Sequence, residues 1–112
     1  MSDSETRPYQ VERIETAWES ADLLVRLFTL DAGQEVPWHY HSAVADIFVG
    51  LEGVVVVETR APRTRRLLHP GEHCQVAPKT AHRVSGLDGA RCRFALTQGV
   101  GDYDFVRIGG DT

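Results

Sequence analysis

The sequence predicts an all-β domain, either a sandwich or a barrel. Three observations carry this reading: short apolar segments recur about every eight residues, turn-forming clusters separate them, and no stretch shows the 3.6-residue apolar stripe of an amphipathic helix. The apolar segments span residues 23–30, 46–51, 54–59, 65–68, 74–76, 82–85, 91–96 and 103–108. They are rich in Val, Ile, Thr and Phe, which suit a pleated, half-buried surface. Between them stand Asp31-Ala32-Gly33, Glu52-Gly53, Pro70-Gly71, Pro78-Lys79 and Asp88-Gly89, the residue types that reverse a chain. The best helical candidate, residues 12–22, lacks a clean apolar face and reads as a short turn or a strand.

With 112 residues, 42% of them hydrophobic, 25% charged and 8% aromatic, the chain reads as one domain over 1–112. Residues 1–20 form an N-terminal extension, expected as a strand or short turn at a dimer edge, and 21–108 form the barrel. A domain of this size buries roughly two thirds of its unfolded surface and needs no disulfide staples. Twelve basic against sixteen acidic residues leave a net charge of −4, which opposes nucleic acid and anionic bilayers as partners. Residues 1–15 are polar and acidic, unlike a secretory signal, so a cytoplasmic location is expected. The most apolar window, 43–57, contains Asp46 and Glu52 and is too short to span a membrane. Cys74 and Cys92 stand 18 positions apart without C-x-x-C spacing and read as small buried hydrophobes. Arg60, Arg63, Arg65 and Arg66 read as a solvated hairpin between Glu58 and Leu67. Edge strands and exposed apolar residues point to a homodimer.

Five histidines are present, and His39-Tyr40-His41 sets two of them on one face of a strand, because side chains two apart point the same way. Asp46 opens an otherwise apolar segment, and a buried carboxylate needs a partner, a role that a divalent cation would fill. Taken alone, the H-x-H pair is a weak signal, and His82 alone reads equally as a satisfied core or turn histidine. His69 and His73 flank the Pro70-Gly71 turn and are expected to be exposed. Together, however, Gly33-x5-His39-x-His41-x4-Asp46-x6-Gly53 and Gly71-x5-Ala77-x-Lys79-x2-His82 resemble the two sequence motifs of the cupin superfamily, as found in its small single-domain bacterial members. The resemblance covers residues 33–85. The closing run, 98–105, is similar to the C-terminal signature of a group of small bacterial cupins.

The resemblance implies a jelly-roll double-stranded β-helix holding one divalent transition metal, with His39, His41, Asp46 and His82 as its ligands. Three departures from the family pattern matter: Asp46 stands where Glu is usual, Ala77 and Lys79 where Pro and Gly are usual, and Gly86 where Asn is common. Asp reaches about an ångström less far than Glu, while metal–ligand distances tolerate about ±0.2 Å. Direct coordination, a bridging water and a three-histidine site therefore all remain open for Asp46. Lys79 must adopt a backbone conformation open to a non-glycine.

Imidazole and carboxylate suit Mn, Fe, Co, Ni, Cu or Zn without choosing among them. Such a site keeps coordination positions for a ligand, unlike a closed cysteine-rich structural zinc site. Phe48, in phase with Asp46, and Phe94 and Gln98 on a later strand are the expected pocket wall, Gln98 being its polar member. No serine triad, phosphate loop or pair of catalytic glutamates is recognisable. The expected function is a metal-dependent enzyme acting on a small oxygen-containing organic molecule, by oxidation with dioxygen or by isomerisation. The alternative is a non-catalytic cupin that binds or senses a small ligand. Since imidazole binds metal only when neutral, release is expected below about pH 6.

Overall fold

The computed structural model describes residues 9–99 and 105–108. Ten strands follow in chain order: β1 (Arg13–Glu19), β2 (Leu24–Leu30), β3 (Glu35–Tyr40), β4 (Asp46–Glu52), β5 (Val55–Thr59), β6 (Thr64–Leu68), β7 (His73–Val76), β8 (His82–Gly86), β9 (Cys92–Gln98) and β10 (Val106–Arg107). They form two five-stranded antiparallel sheets, ordered β1-β2-β9-β4-β7 and β10-β3-β8-β5-β6. This is the jelly-roll arrangement that the segment rhythm and the two motifs lead one to expect. Among the described residues there is no α-helix, and no helix is long and apolar enough to cross a membrane.

The core lies between the sheets, where period-two alternation turns Phe28, Leu30, Phe48, Val84 and Phe94 inward. The alternation on β9 is complete: Cys92, Phe94, Leu96 and Gln98 are buried, and the three residues between them are half-buried. On β4 the inward set is Asp46, Phe48 and Gly50, and on β8 it is His82, Val84 and Gly86. Each of these strands therefore begins or ends on a polar inward residue and is apolar beyond it. Cys74 and Cys92 are buried free thiols, as expected. Burial pushes both up, Cys92 to about 11, which keeps them protonated and unreactive.

Several boundaries differ from those read in the sequence. β1 lies inside the 1–20 extension and pairs with β2 from Arg13↔Thr29 to Glu19↔Leu24. Its weak signal has a physical cause: β1 is an edge strand with Trp18 59% exposed, so it carries no apolar alternation. β3 was absent from the apolar segments because Pro37 and three polar residues interrupt it. The fold accommodates Pro37, which has no N–H, at a register irregularity between Val36 and His39. β9 runs two residues beyond 96, and of the described residues 105–108 Val106–Arg107 are strand. Residues 100–104 of the closing signature lie outside the described residues. The arginine cluster does sit on the β5–β6 hairpin, with Arg63, Arg65 and Arg66 exposed. Arg60 instead stacks its guanidinium over Trp38, 4.0 Å from the ring centre.

Two departures from the family pattern acquire a structural meaning. Lys79 has φ +64, a left-handed conformation that glycine adopts more readily, and its N–H donates to the His41 carbonyl at 2.7 Å. At Gly86 the backbone meets the chain after the 3₁₀ turn Leu87–Gly89, and a Cβ would lie 1.7 Å from the Ala90 carbonyl oxygen. No side chain fits there without moving backbone. Gly86→Ala is therefore expected to lower unfolding stability by at least about 2 kcal/mol, measurable as a fall in the urea midpoint at unchanged slope.

Candidate metal centre

Strand register assembles the site. In one sheet His39 on β3 is paired with His82 on β8; in the other, Asp46 on β4 is paired with Gln98 on β9. Both pairs face inward at the same end of the sandwich, and His41, one residue past β3, joins them. The structure thus brings together His39, His41, Asp46 and His82, all four buried, with one potential ligand atom from each lying within 4.8 Å of the others. An ion with ligands at about 2.0–2.2 Å spreads its donors over no more than about 4.4 Å. A contraction of a few tenths of an ångström closes the set.

Hydrogen bonds orient the donors. His39 Nδ1 lies 2.7 Å from the Pro37 carbonyl and His82 Nδ1 lies 2.8 Å from the Thr80 carbonyl. A carbonyl only accepts, so Nδ1 carries the proton in both rings and Nε2 presents a lone pair when the ring is neutral. His82 Nε2 stands 3.0 Å from Asp46 Oδ2, and His41 Nε2 stands 3.2 Å from the same oxygen. Two acceptors at that separation need a proton or a cation between them. The donor chemistry and the crowded Nε2–carboxylate geometry therefore fit a divalent transition metal, held by groups whose outer hydrogen bonds are already made.

The second oxygen of Asp46 is equally occupied. Gln98 Nε2 donates to Asp46 Oδ1 at 3.0 Å and stands 3.3 Å from His41 Nε2. Gln98 Oε1 in turn accepts from Arg26 Nη2 at 2.9 Å, which fixes the orientation of the amide. Burial raises the Asp46 carboxyl, but its close contacts with the His41 and His82 imidazoles outweigh that and hold the group below the usual carboxylate range. Burial, aided by the neighbouring His82, lowers His39 to about 3 against the hydrogen bond to Pro37.

A narrow cavity opens onto the cluster, with room for about one water-sized body (about 10 Å³). Phe48 and Phe94 line it, whereas Gln98, expected as the polar member of the wall, is not among the lining residues and instead hydrogen-bonds Asp46 and Arg26. Further residues that the sequence did not single out also line it, among them Tyr9, Phe105 and Arg26. Phe105 stacks on His39, with ring centres 4.1 Å apart, and Tyr9 stacks on Phe105 at 5.3 Å. The signal for Arg26 was present: it is the one charged residue in Leu24–Leu30 and falls in phase with inward Phe28 and Leu30. His69 and His73 are exposed, as expected.

Comparison with known proteins agrees with this geometry. The sequence model of the family described as cupin domain matches residues 26–97, and the chain belongs to that family; it is a small cupin. No curated protein matches. Among solved structures, a cupin-2 domain containing protein from Shewanella frigidimarina is similar at 18% identity with TM-score 0.66, over 87% of this chain and 89% of that one. KdgF from Halomonas sp. is similar at 18% identity with TM-score 0.68, over 88% and 92%. An oxalate oxidase bound to the substrate analogue glycolate shares 13% identity with TM-score 0.69, over 77% of this chain and 46% of that one. At these identities the structural matches establish the fold.

The depressed values set a pH dependence for the metal-free protein. His39 falls from 6.5 to about 3 on folding, so below 6.5 the unfolded chain binds a proton that the folded one refuses. Stability is lost as pH falls from about 6.5 towards 3, and the lowered Asp46 carboxyl adds a loss of the same sign below the ordinary carboxylate range. The urea midpoint of metal-free protein should fall from pH 7 to pH 4, and His39→Gln should flatten the fall between pH 6.5 and 4.5.

Proposed function

We propose that this chain is a metal-dependent enzyme that acts on a small oxygen-containing organic molecule, by oxidation with dioxygen or by isomerisation, with His39, His41, Asp46 and His82 as the metal ligands. The observation that supports this most is the buried three-histidine, one-carboxylate cluster at the end of a mostly apolar cavity. A divalent transition metal bound there supplies a Lewis acid or a redox centre with coordination positions to spare. The chain's own residues do the rest. Pro37 and Thr80 carbonyls hold His39 and His82 with Nε2 directed inward. Gln98 holds Asp46, whose short side chain is brought to the cluster because β4 begins at that residue. Phe48, Phe94 and Phe105 exclude water, which strengthens every electrostatic interaction inside.

The test is protein purified without a metal-chelating tag. About one metal per chain is expected by mass spectrometry, with oxygen uptake or isomer formation on some member of a set of carbonyl and enediol compounds. His41→Ala and His82→Ala should each lose the metal and all turnover, and Asp46→Asn should weaken metal binding at least about tenfold. Ligand binding without turnover in any metal form would instead make this a binding or sensing cupin. Stoichiometric metal in His41→Ala and His82→Ala would end the ligand assignment.

The same reading includes a homodimer in a reducing compartment such as the cytoplasm, the latter supported by the two buried free thiols. On the outer face of the first sheet, register aligns Trp18, Val25, Thr97 and Ile47 in one row, with Trp18 59% and Ile47 40% exposed. A second copy covering this face would remove that apolar surface from water. Sedimentation equilibrium should give twice the chain mass, and Ile47→Lys should shift the protein to monomer with its metal content unchanged.

A further inference from the structure

The cavity at the cluster has room for about one water-sized body, so an organic ligand reaches it only if part of the wall gives way. Most of that wall is fixed by backbone ladders. Phe28 and Phe94 are partners across β2 and β9, Phe48 and Leu96 across β4 and β9, and Val36 and Val84 across β3 and β8. All these strands are paired on both sides, and moving one breaks its backbone hydrogen bonds. His41 lies one residue beyond β3, yet its carbonyl accepts from the Lys79 N–H at 2.7 Å.

Tyr9 and Phe105 are held differently. Tyr9 comes four positions before β1, and Phe105 comes immediately before the two-residue edge strand β10. Their rings stack with centres 5.3 Å apart and planes inclined by 29°, and Phe105 continues the stack onto His39 at 4.1 Å and 17°. Tyr9 also lines a second, open space of about 290 Å³, together with Gln10, Gln34, Glu35, Pro37 and Arg107. One residue therefore borders both the closed cavity and the outer groove. A stacked ring yields by a side-chain rotation, whereas a paired strand yields only by losing its ladder.

We infer that Tyr9 and Phe105 are the gate of this centre: ligands pass between the outer groove and the cluster when the Tyr9 ring swings off Phe105, and Tyr9 thereby sets the size of molecule admitted. Closed, the pair covers His39; opened, it joins the small cavity to the groove. The inference deepens the function proposed above by giving the route to its site, and only the metal arm of its test rests on that reading.

Diethyl pyrocarbonate acylates neutral imidazole and is much larger than water, so it probes passage in metal-free protein at pH 7. The exposed His69 and His73 serve as internal reference, and each histidine is read by peptide mass spectrometry. In wild type His39, His41 and His82 should react far more slowly than the reference pair. Tyr9→Ala should speed them at least roughly tenfold against that pair, the scale set by losing a stacked aromatic contact. Tyr9→Leu should act in the same direction to a smaller extent. The buried thiols of Cys74 and Cys92 should stay as unreactive to N-ethylmaleimide as in wild type, which separates a local opening from a loosened fold. Wild-type protection of the three histidines in Tyr9→Ala would overturn the gate, and so would thiols that gain reactivity by the same factor as the histidines. In cobalt-loaded protein, Tyr9→Ala should quicken uptake of the ion and its release to a chelator by one factor, with affinity unchanged, since a gate acts equally on entry and exit. Wild type that takes up no cobalt would remove the metal reading, while the labelling of metal-free protein still decides the gate.

Discussion

A carboxylate buried among three imidazoles governs this molecule. Asp46 is 1% exposed, and neither of its oxygens faces water: one meets His41 and His82, and the other meets Gln98. An unpaired charge at such a depth would cost several kcal/mol, so these polar contacts form as a set or the end of the sandwich does not close. The sheets must place four side chains from β3, β4, β8 and the chain after β3 at one point. The remainder of the β framework holds them there.

The sandwich manages this by dividing each inward face along its length. Phe28, Leu30, Phe94 and Val84 fill one part with close-packed apolar volume, and the polar residues stand at strand ends, where β3, β4, β8 and β9 reach the same edge. Pro37 illustrates how local chemistry serves the site. Lacking an N–H, it breaks the ladder between β3 and β8, and its carbonyl accepts the hydrogen bond from His39 Nδ1–H. The left-handed Lys79 does something similar, ending the approach to β8 in a turn whose N–H closes on His41's own carbonyl.

Beyond the four clustered side chains, the hydrogen bonds run outward in one direction, from Asp46 through Gln98 to Arg26. A chain of this kind couples whatever meets the guanidinium to the carboxylate at the metal position, because the amide cannot turn without losing a bond at both ends. Aromatic rings enclose the same space: Phe105 lies flat on His39, and Phe28 lies under Arg26 and against Phe94. Charge and apolar wall are therefore interleaved within one small volume.

Much of this was legible in the linear chain. Period-two alternation and turn residues specify strands wherever one face is buried, so β2, β4, β5, β8 and most of β9 could be read directly. The spacing of His39, His41, Asp46 and His82 survives as sequence because each lies at or beside the end of a strand. Other features were not legible, for reasons of distance. β1 has both faces partly in water and so bears no apolar signature; only its pairing with β2 makes it a strand. Of β3 only the end at His39-Tyr40 was legible, and His41 falls just past it; the first half hid behind Pro37, whose tolerance depends on a ladder break that the neighbouring strand supplies. Tyr9, Arg26 and Phe105 come from three distant parts of the chain; the inward phase of Arg26 on β2 is local, but that the three share a cavity is not. Local pattern determined which residues face inward, since that follows from backbone geometry alone. Which of those residues meet was decided by sheet order and register, which are set by packing between distant segments, 72 positions apart in the case of Arg26 and Gln98.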